Sequence, residues 1–470
     1  MSASRSVPSV EASVLSTLNP DGSRRWLRPR LSPGRFLSGR RIVGWTLIGL
    51  FTALPYLSIG GRPAILLDLP RREFTFFGLT LLPTDTLLLA LLLLGIFLAI
   101  FLATALYGRV WCGWGCPQTV YLEFVYRPLE RWLDGRGYAT GGRAPVSGLR
   151  TTLKHVVFVV VSLVLAHTFL SYFVGVERLA VWIRRSPIEH PTAFLVVAAT
   201  TALMLLDFGY LREQVCTLMC PYGRFQSVLL DRQSWIVAYD RRRGEPRAKL
   251  HGHAPVTGAG DCIDCQLCVA TCPTGIDIRA GLQMECVGCA QCIDACDEVM
   301  ERVGRPAGLI RYSSQQAMDG ERARRLRPRV VAYPLLLATV AVLFGATLAG
   351  RQTADVSILR NRARPYEVLE SGGIANLLLI KVVNRTDDAR TYRIEVPQAI
   401  EMTSHDLPLS VAARGSGTAT LRVVVGAAAF EGGRASLRLR VRDDAGFEEE
   451  LEHAVLGPLF VAPPAAAGGR

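Results

Sequence analysis

Cysteine is the residue type whose number and spacing could do chemistry in this chain: there are twelve, all between positions 112 and 296. Eight fall in two runs, "CIDCQLCVATCP" (262–273) and "CVGCAQCIDAC" (286–296), each reading C-x2-C-x2-C-x3-C. The second run repeats the first at a 24-residue offset. Three closely spaced thiolates can wrap one cubic four-iron cluster, and in two-cluster ferredoxins the fourth ligand comes from the other run. That logic assigns Cys262, Cys265, Cys268 and Cys296 to one [4Fe-4S] cluster, and Cys286, Cys289, Cys292 and Cys272 to a second. Zinc sites usually pair two short C-x2-C units over a longer gap, without a third evenly spaced cysteine and a trailing proline. Asp297 stands where the second run would carry that proline. With all eight sulfurs used as ligands, no iron is left open to a substrate, so the pair is read as a conductor of single electrons.

Four cysteines remain, in "RVWCGWGCPQTVY" (109–121) and "EQVCTLMCPYGRF" (213–225), both C-x3-C-P. Proline suits the first turn of a helix, which makes Cys116 and Cys220 candidate N-cap residues. Free amides and the helix dipole there are expected to lower a thiol pKa toward thiolate. Cys112 and Cys216 lie four residues earlier and could present a second sulfur. Soft thiolates select soft ions, so Cys112, Cys116, Cys216 and Cys220 are candidate copper ligands and the candidate catalytic residues. The two pairs could form two sites or join as one. The helices after Pro117 and Pro221 are expected to lie along the membrane surface. His155 and His167 are weaker candidates, about 18 Å apart along one helix, and His251 and His253 are read as solvated.

The elements that must hold these sulfurs follow from composition. The chain has 470 residues, half of them hydrophobic, and a mean hydropathy of +0.26, which points to several modules. Charged residues are absent from 42–61, 86–108, 156–176, 191–206 and 330–350. At about 1.5 Å per residue such runs cross a core of roughly 30 Å, the shortest by borrowing its flanks. Five transmembrane helices are predicted: 42–61, 86–108, 156–176, 190–208 and 330–350. The first is read as a retained anchor, because no A-x-A cleavage site follows it.

The net charge of +13 is concentrated before the first span, in loop 109–154 and before the last span (Arg322, Arg324, Arg325, Arg327, Arg329). This positive-inside bias argues against nucleic acid as the partner and places the N-terminus and the ferredoxin-like segment in the cytoplasm. Cysteines confined to that side suit thiolate metal ligands in a reducing compartment. The stretch "YDRRRGEPRAK" (239–249) is read as a basic surface for headgroups, an acidic donor or solvent. Residues 1–41 are expected to be a disordered cytoplasmic segment, 42–228 four spans carrying both C-x3-C-P motifs, and 229–329 the ferredoxin-type domain with connectors. Residues 330–350 are the last span, and 351–470 a periplasmic β-sandwich with short alternating strands, ending in a disordered "APPAAAGGR". Asn384 opens an N-R-T sequon in that tail.

Taken together, "LLDLPRREFTFFGL" (66–79), "GRVWCGWGCPQTV" (108–120), "REQVCTLMCPYGRFQSV" (212–228), "YDRRRGEPR" (239–247), the double cysteine run (261–300) and "GLIRYSS" (308–314) resemble the cytochrome c oxidase accessory protein family, the FixG-type membrane polyferredoxins. Gly223 and Gln266 stand where that family leads one to expect Ala and Gly. The resemblance implies an immunoglobulin-like C-terminal domain and an inner-membrane, multi-pass protein of bacteria. It further implies a role in assembling a cbb-type haem–copper oxidase, by reducing Cu(II) to Cu(I) on the cytoplasmic side. On that reading the cluster cysteines are the electron route and the four C-x3-C-P cysteines the copper contacts. The partners are the bilayer, copper, oxidase assembly factors or a copper transporter, and an unspecified electron donor. The alternatives are a quinol-linked relay, since similar C-x3-C-P grammar occurs in membrane ferredoxins of nitrate and nitrous-oxide respiration, and a non-redox assembly scaffold.

Overall fold

The computed structural model describes residues 16–19, 21–59, 61–70, 73–82, 84–135, 138, 146–249, 258–321, 328–360, 365–396 and 400–458. His251, His253, Arg322, Arg324, Arg325, Arg327 and the terminal 462–470 stretch lie outside them. The chain divides into two compact units, Met1–Phe344 and Gly345–Arg470.

In the first unit, four helices are long and apolar enough to cross a membrane: Thr86–Tyr107, Gly148–Val174, Pro191–Leu211 and Val330–Ala349. Leu87, Leu93, Ile96 and Phe97 of the first of these point outward, as lipid-facing side chains do. The helix expected at 42–61 instead spans Arg35–Ala53 and ends in a 3-10 turn, Leu54–Tyr56. Pro55 has no amide to continue the ladder, and Arg35, Arg40 and Arg41 lower the apolar character of the first turns.

The reading of 1–41 as disordered does not hold over its described part. Residues 16–34 run along the cysteine-rich segment: Ser16 Oγ donates to Thr274 O at 2.7 Å, and Arg30 N to Ala270 O at 2.9 Å. Leu27 is buried there, close against Gly275. The amides of Phe36 and Leu37 then donate to the carboxylate of Asp294, at 3.2 and 2.8 Å. Asp294 therefore caps the helix Arg35–Ala53 from another helix, Gln291–Arg302. Gly34, which supplies no side-chain cap, leaves room for this, since a Cβ on it would stand 2.3 Å from Asp294 Cγ.

The cysteine-rich segment folds around an antiparallel pair, Ile236–Tyr239 with Ile310–Ser313, in which Tyr239 faces Ile310. Gln266 and Ala290 occupy matching positions in the two cysteine runs, and both are left-handed, at φ 58° and 61°. That conformation explains why glycine would be the easier residue at 266. Asp297 accepts a hydrogen bond from the Gly308 amide at 2.8 Å, which gives the residue in the proline's place a structural role.

Three arginines of the basic stretch 239–249 also bind the scaffold. Arg241 donates to Ala280 O at 2.8 Å, Arg242 to Asp319 O, and Arg243 to Asp261, Pro306 O and Ala307 O.

The second unit is a β-sandwich. One sheet orders the strands Glu401–Thr403, Ser416–Gly426, Gly373–Asn384 and Ala354–Arg360; the other orders Leu409–Val411, Arg390–Glu395, Arg434–Asp443 and Glu448–Leu456. Alternate residues such as Ile380, Val382, Leu421, Leu437 and Leu439 meet between them with no exposure. Asn384 of the sequon is fully buried: its Nδ2 donates to Asp388 O at 2.8 Å and Ala412 O at 3.2 Å. It is a turn hub, closed to a glycan.

Candidate metal centres

Two cavities lie inside the cysteine-rich segment. One is lined by Cys262, Cys265, Cys268 and Cys296, with Tyr239 and Ile310 among its walls, and holds about 360 Å³ of empty space. The other is lined by Cys272, Cys286, Cys289 and Cys292, with Val237 and Ile278, and holds about 330 Å³. Cys268 reaches the wall of both. The first cavity thus gathers three cysteines of one run and one of the other, and the second gathers Cys286, Cys289 and Cys292 with Cys272 and, at its shared wall, Cys268. Four thiols facing an otherwise apolar cavity form a donor set that fits a four-iron cluster. Burial pushes Cys268, Cys286 and Cys296 up to about 12 and Cys289 up to about 11. Without iron these thiols keep their protons, and metal binding must displace them.

The two C-x3-C-P motifs come together. Gly108, at φ 60°, ends the helix Thr86–Tyr107; a Cβ there would stand 2.3 Å from Trp235 O. Arg212, at φ 54°, ends the helix through Leu211 in the same way. Cys112 then lies in a short helix, Val110–Trp114, and Cys216 in a π-turn, Val215–Met219. Cys116 and Cys220 occupy the N-cap positions of Pro117–Tyr121 and Pro221–Leu229, as expected. Cys112 Sγ donates to Gln226 Oε1 at 2.9 Å, and Gln226 Nε2 donates to Thr104 Oγ1 at 2.9 Å and Tyr222 Oη at 2.6 Å. Gln118, from the first motif, donates to Asp207 at 2.6 Å and to Arg212 O at 3.1 Å, just before the second. Cys216 packs against the buried cluster of Cys112, Val287 and Cys289. The two pairs are therefore neighbours and share one site, the chamber of Cys112, Cys116, Cys216 and Cys220.

Its electrostatics depart from the expectation of lowered thiol pKa values. Burial raises Cys112 and Cys116, and it raises Cys216 to about 12, with Cys116, Cys112 and Cys220 adding to the effect. The Thr119 and Gln118 amides at Cys116 and the Arg109 guanidinium at Cys112 pull the other way but do not win. Desolvation outweighs two amides and one cation, so without a metal Cys112, Cys116 and Cys216 favour the neutral thiol.

This chamber abuts the second cavity. A Cβ on Gly113 would stand 2.7 Å from Cys289 Cα and from Val287 O, so the first motif touches the Cys289 loop backbone to backbone. Arg109 donates to Met284 O on the same side. Gly223, where alanine was expected, leaves room for this arginine: its Cβ would stand 2.8 Å from Arg109 Nη2.

Sequence reasoning missed the charged packing around the motifs. Glu123, Arg127 and Glu130 are buried, so the helix after Pro117 does not lie with that polar side on the membrane surface. Arg127 bonds Glu123, Glu213 at 3.1 Å and Pro273 O at 3.3 Å, while Arg212 forks onto Glu130 at 2.7 and 3.3 Å. The spacing Glu123–Arg127, an i,i+4 pair, was the available signal. His155 and His167 bond within their own helix, to Thr151 O at 2.7 Å and Leu163 O at 2.8 Å. His167 lines an apolar groove with Leu163, Leu179 and Ile183. Among the described residues no three Cys, His, Asp or Glu side chains come together closely enough to hold a single metal ion.

Comparison with known proteins gives three profile matches: a 4Fe-4S dicluster domain over residues 211–315, a 4Fe-4S binding domain over 89–136, and the IG-like fold at the C-terminal of FixG over 344–458. Protein RdxA of Cereibacter sphaeroides is 34% identical, over 94% of this chain and 97% of its own. Protein RdxB of the same organism is 34% identical, over 88% and 92%. The nitrogen fixation protein FixG of Rhizobium meliloti is 32% identical, over 79% of each chain.

Proposed function

The chain belongs to the FixG family of membrane iron–sulfur electron-transfer proteins, and from that premise we propose that it reduces Cu(II) to Cu(I) at the cytoplasmic face for assembly of a cbb-type haem–copper oxidase. Cys262, Cys265, Cys268 and Cys296 would hold one four-iron cluster, and Cys272, Cys286, Cys289 and Cys292 the other. When bound, such clusters supply one-electron transfer. Apolar walls around both tetrads exclude water, and their sulfurs leave no coordination position for a substrate. Cys265 is exposed, whereas Cys289 is buried beneath the first C-x3-C-P motif. A cytoplasmic donor therefore meets the Cys265 side, and electrons leave toward the chamber of Cys112, Cys116, Cys216 and Cys220, where Cu(II) is reduced. The partners are the bilayer, a one-electron donor, and the oxidase assembly factors or copper transporter that take Cu(I). Five spans, the fifth being Arg35–Ala53, would leave residues 351–470 on the periplasmic side of the inner membrane.

The observation that carries this reading is the close backbone approach of Gly113 to Cys289, which sets the first C-x3-C-P motif directly against a cluster loop. The test is anaerobic: dithionite-reduced protein, freed of excess reductant, is mixed with Cu(II) and Cu(I) is read with a chromogenic chelator. Wild type should form Cu(I) within the mixing series, and the Cys216→Ala, Cys220→Ala double variant should form it at least about tenfold more slowly. Equal rates would remove the chamber from the route. Oxidation by a quinone analogue but never by Cu(II) would favour the quinol-linked relay instead.

A further inference from the structure

Four sulfurs that neither ferredoxin cavity uses converge from two separate turns at the membrane boundary. Cys112 is tied to the helix that Cys220 caps through Gln226, and Cys216 packs on the cluster that holds Cys112. Cys116 lies within electrostatic range of Cys220 and Cys216. We propose that Cys112, Cys116, Cys216 and Cys220 hold a third four-iron cluster, completed across the two C-x3-C-P turns, so that Cu(II) takes its electron at the edge of that cluster and not as an ion gripped by these sulfurs. The inference rests on the relay reading above and changes only what the chamber holds.

Three observations carry it. Residues 89–136 match a 4Fe-4S binding profile yet contain only Cys112 and Cys116. A cubic cluster needs four ligands, and the fold supplies the missing pair from the second motif, Cys216 and Cys220. Second, the four sulfurs converge: Cys216 packs on the cluster that holds Cys112, and Cys116, Cys112 and Cys220 all lie within electrostatic range of Cys216. Third, the surroundings suit a buried assembly of net negative charge. The Arg109 guanidinium lies beside Cys112, and the amides of Gln118 and Thr119 face Cys116, the kind of hydrogen bonding that tunes cluster sulfurs. The redox step balances simply. A one-electron donor in the cytoplasm reduces the protein and one electron passes to Cu(II), so the products are Cu(I) and the oxidised donor, with no bond made at carbon.

The experiment is iron and acid-labile sulfide analysis of the full chain, purified anaerobically in detergent, with low-temperature EPR of the reduced state. Wild type should carry about twelve iron atoms per chain, and the Cys116→Ser, Cys220→Ser double variant about eight, with one EPR signal lost and those of the ferredoxin unit retained. About eight iron atoms in both proteins would overturn the proposal. So would stoichiometric copper on wild type that the double variant lacks, and either result leaves Cu(II) reduction untouched as a separate measurement. Should the variant fail to fold, native mass spectrometry of wild type makes the same count without a substitution. A mass excess of three clusters supports the inference, and an excess of two overturns it.

Discussion

Arg127 is wholly enclosed, and its guanidinium joins three parts of the chain: Glu123 on its own helix, Glu213 ahead of the second C-x3-C-P motif, and the carbonyl of Pro273, next to Cys272. Burial alone would raise the Glu123 carboxyl, but Arg127, Arg40 and Arg131 outweigh it and hold it below its usual range. An arginine so placed positions the two motifs against a cluster loop. Replacing it by glutamine strands two buried carboxylates, and breaking such a pair costs about 3–5 kcal/mol. An Arg127→Gln variant should unfold at clearly lower temperature in detergent, and adding Glu213→Gln should recover part of the loss by removing one orphaned charge. A thermal shift series reads both, and an unchanged midpoint for Arg127→Gln would show that the knot contributes nothing. Gln266 argues in the opposite direction. Its left-handed backbone is strained for any residue but glycine, so Gln266→Gly should be neutral or stabilising by up to about 1 kcal/mol, with iron content unchanged.

Helix Arg35–Ala53 shows how elements are fixed by partners far away in sequence. Its own N-cap, Gly34, offers no side chain, and Asp294 on Gln291–Arg302 accepts from two of its first amides. Asp294→Ala should therefore cost about 1 kcal/mol through lost capping, whereas Gly34→Val should cost more, because the branch would occupy the space of the Asp294 carboxylate. Limited proteolysis within residues 16–34 reads this directly: the strap should become cleavable in Gly34→Val and stay protected in wild type. Cleavage at equal rates would show that the cap does not hold the strap. These elements also mark what was legible beforehand. The cysteine spacings anticipated that each run lends a cysteine to the other's cavity, because a cluster ligand set is a local pattern with one long-range exchange, but not that Cys268 lines both cavities. The proline after Cys116 and Cys220 predicted both N-caps. The Asp294 cap, the Gly113–Cys289 contact and the burial of Glu123 and Glu130 were not legible. Each depends on which surfaces meet, and a charged residue on a periodic helix looks solvated until its partner from another element is placed beside it.

At the scale of the whole molecule the open quantity is the number of spans. Four helices qualify by length and composition, and Arg35–Ala53 is the fifth candidate. One end of it is capped by the cysteine-rich unit through Asp294, and Arg40 is tied there to Gly113 O at 2.8 Å. Its other end reaches Tyr172, whose hydroxyl donates to Phe51 O at 2.6 Å while the two rings stack at 5.3 Å. Tyr172 stands near the finish of Gly148–Val174, whose early turns are held beside Asp134 by Lys154 at 2.9 Å. The first helix thus runs from the ferredoxin side to the far end of a membrane-length neighbour, about 24 Å from Arg35 to Phe51 at the helical rise. Its arginines stay on the near side, as the positive-inside bias requires. Counted as a span, this helix gives the odd number proposed above, under which residues 351–470 would face the opposite side of the membrane from the N-terminus. The tail has no cysteine of its own, so an exposed position such as His405 can report on this without background from the domain itself. In spheroplasts, His405→Cys should react with a membrane-impermeant maleimide before lysis. If it reacted only after permeabilisation, Arg35–Ala53 would be a surface helix, the count would be even, and the tail would share the compartment of the cysteines.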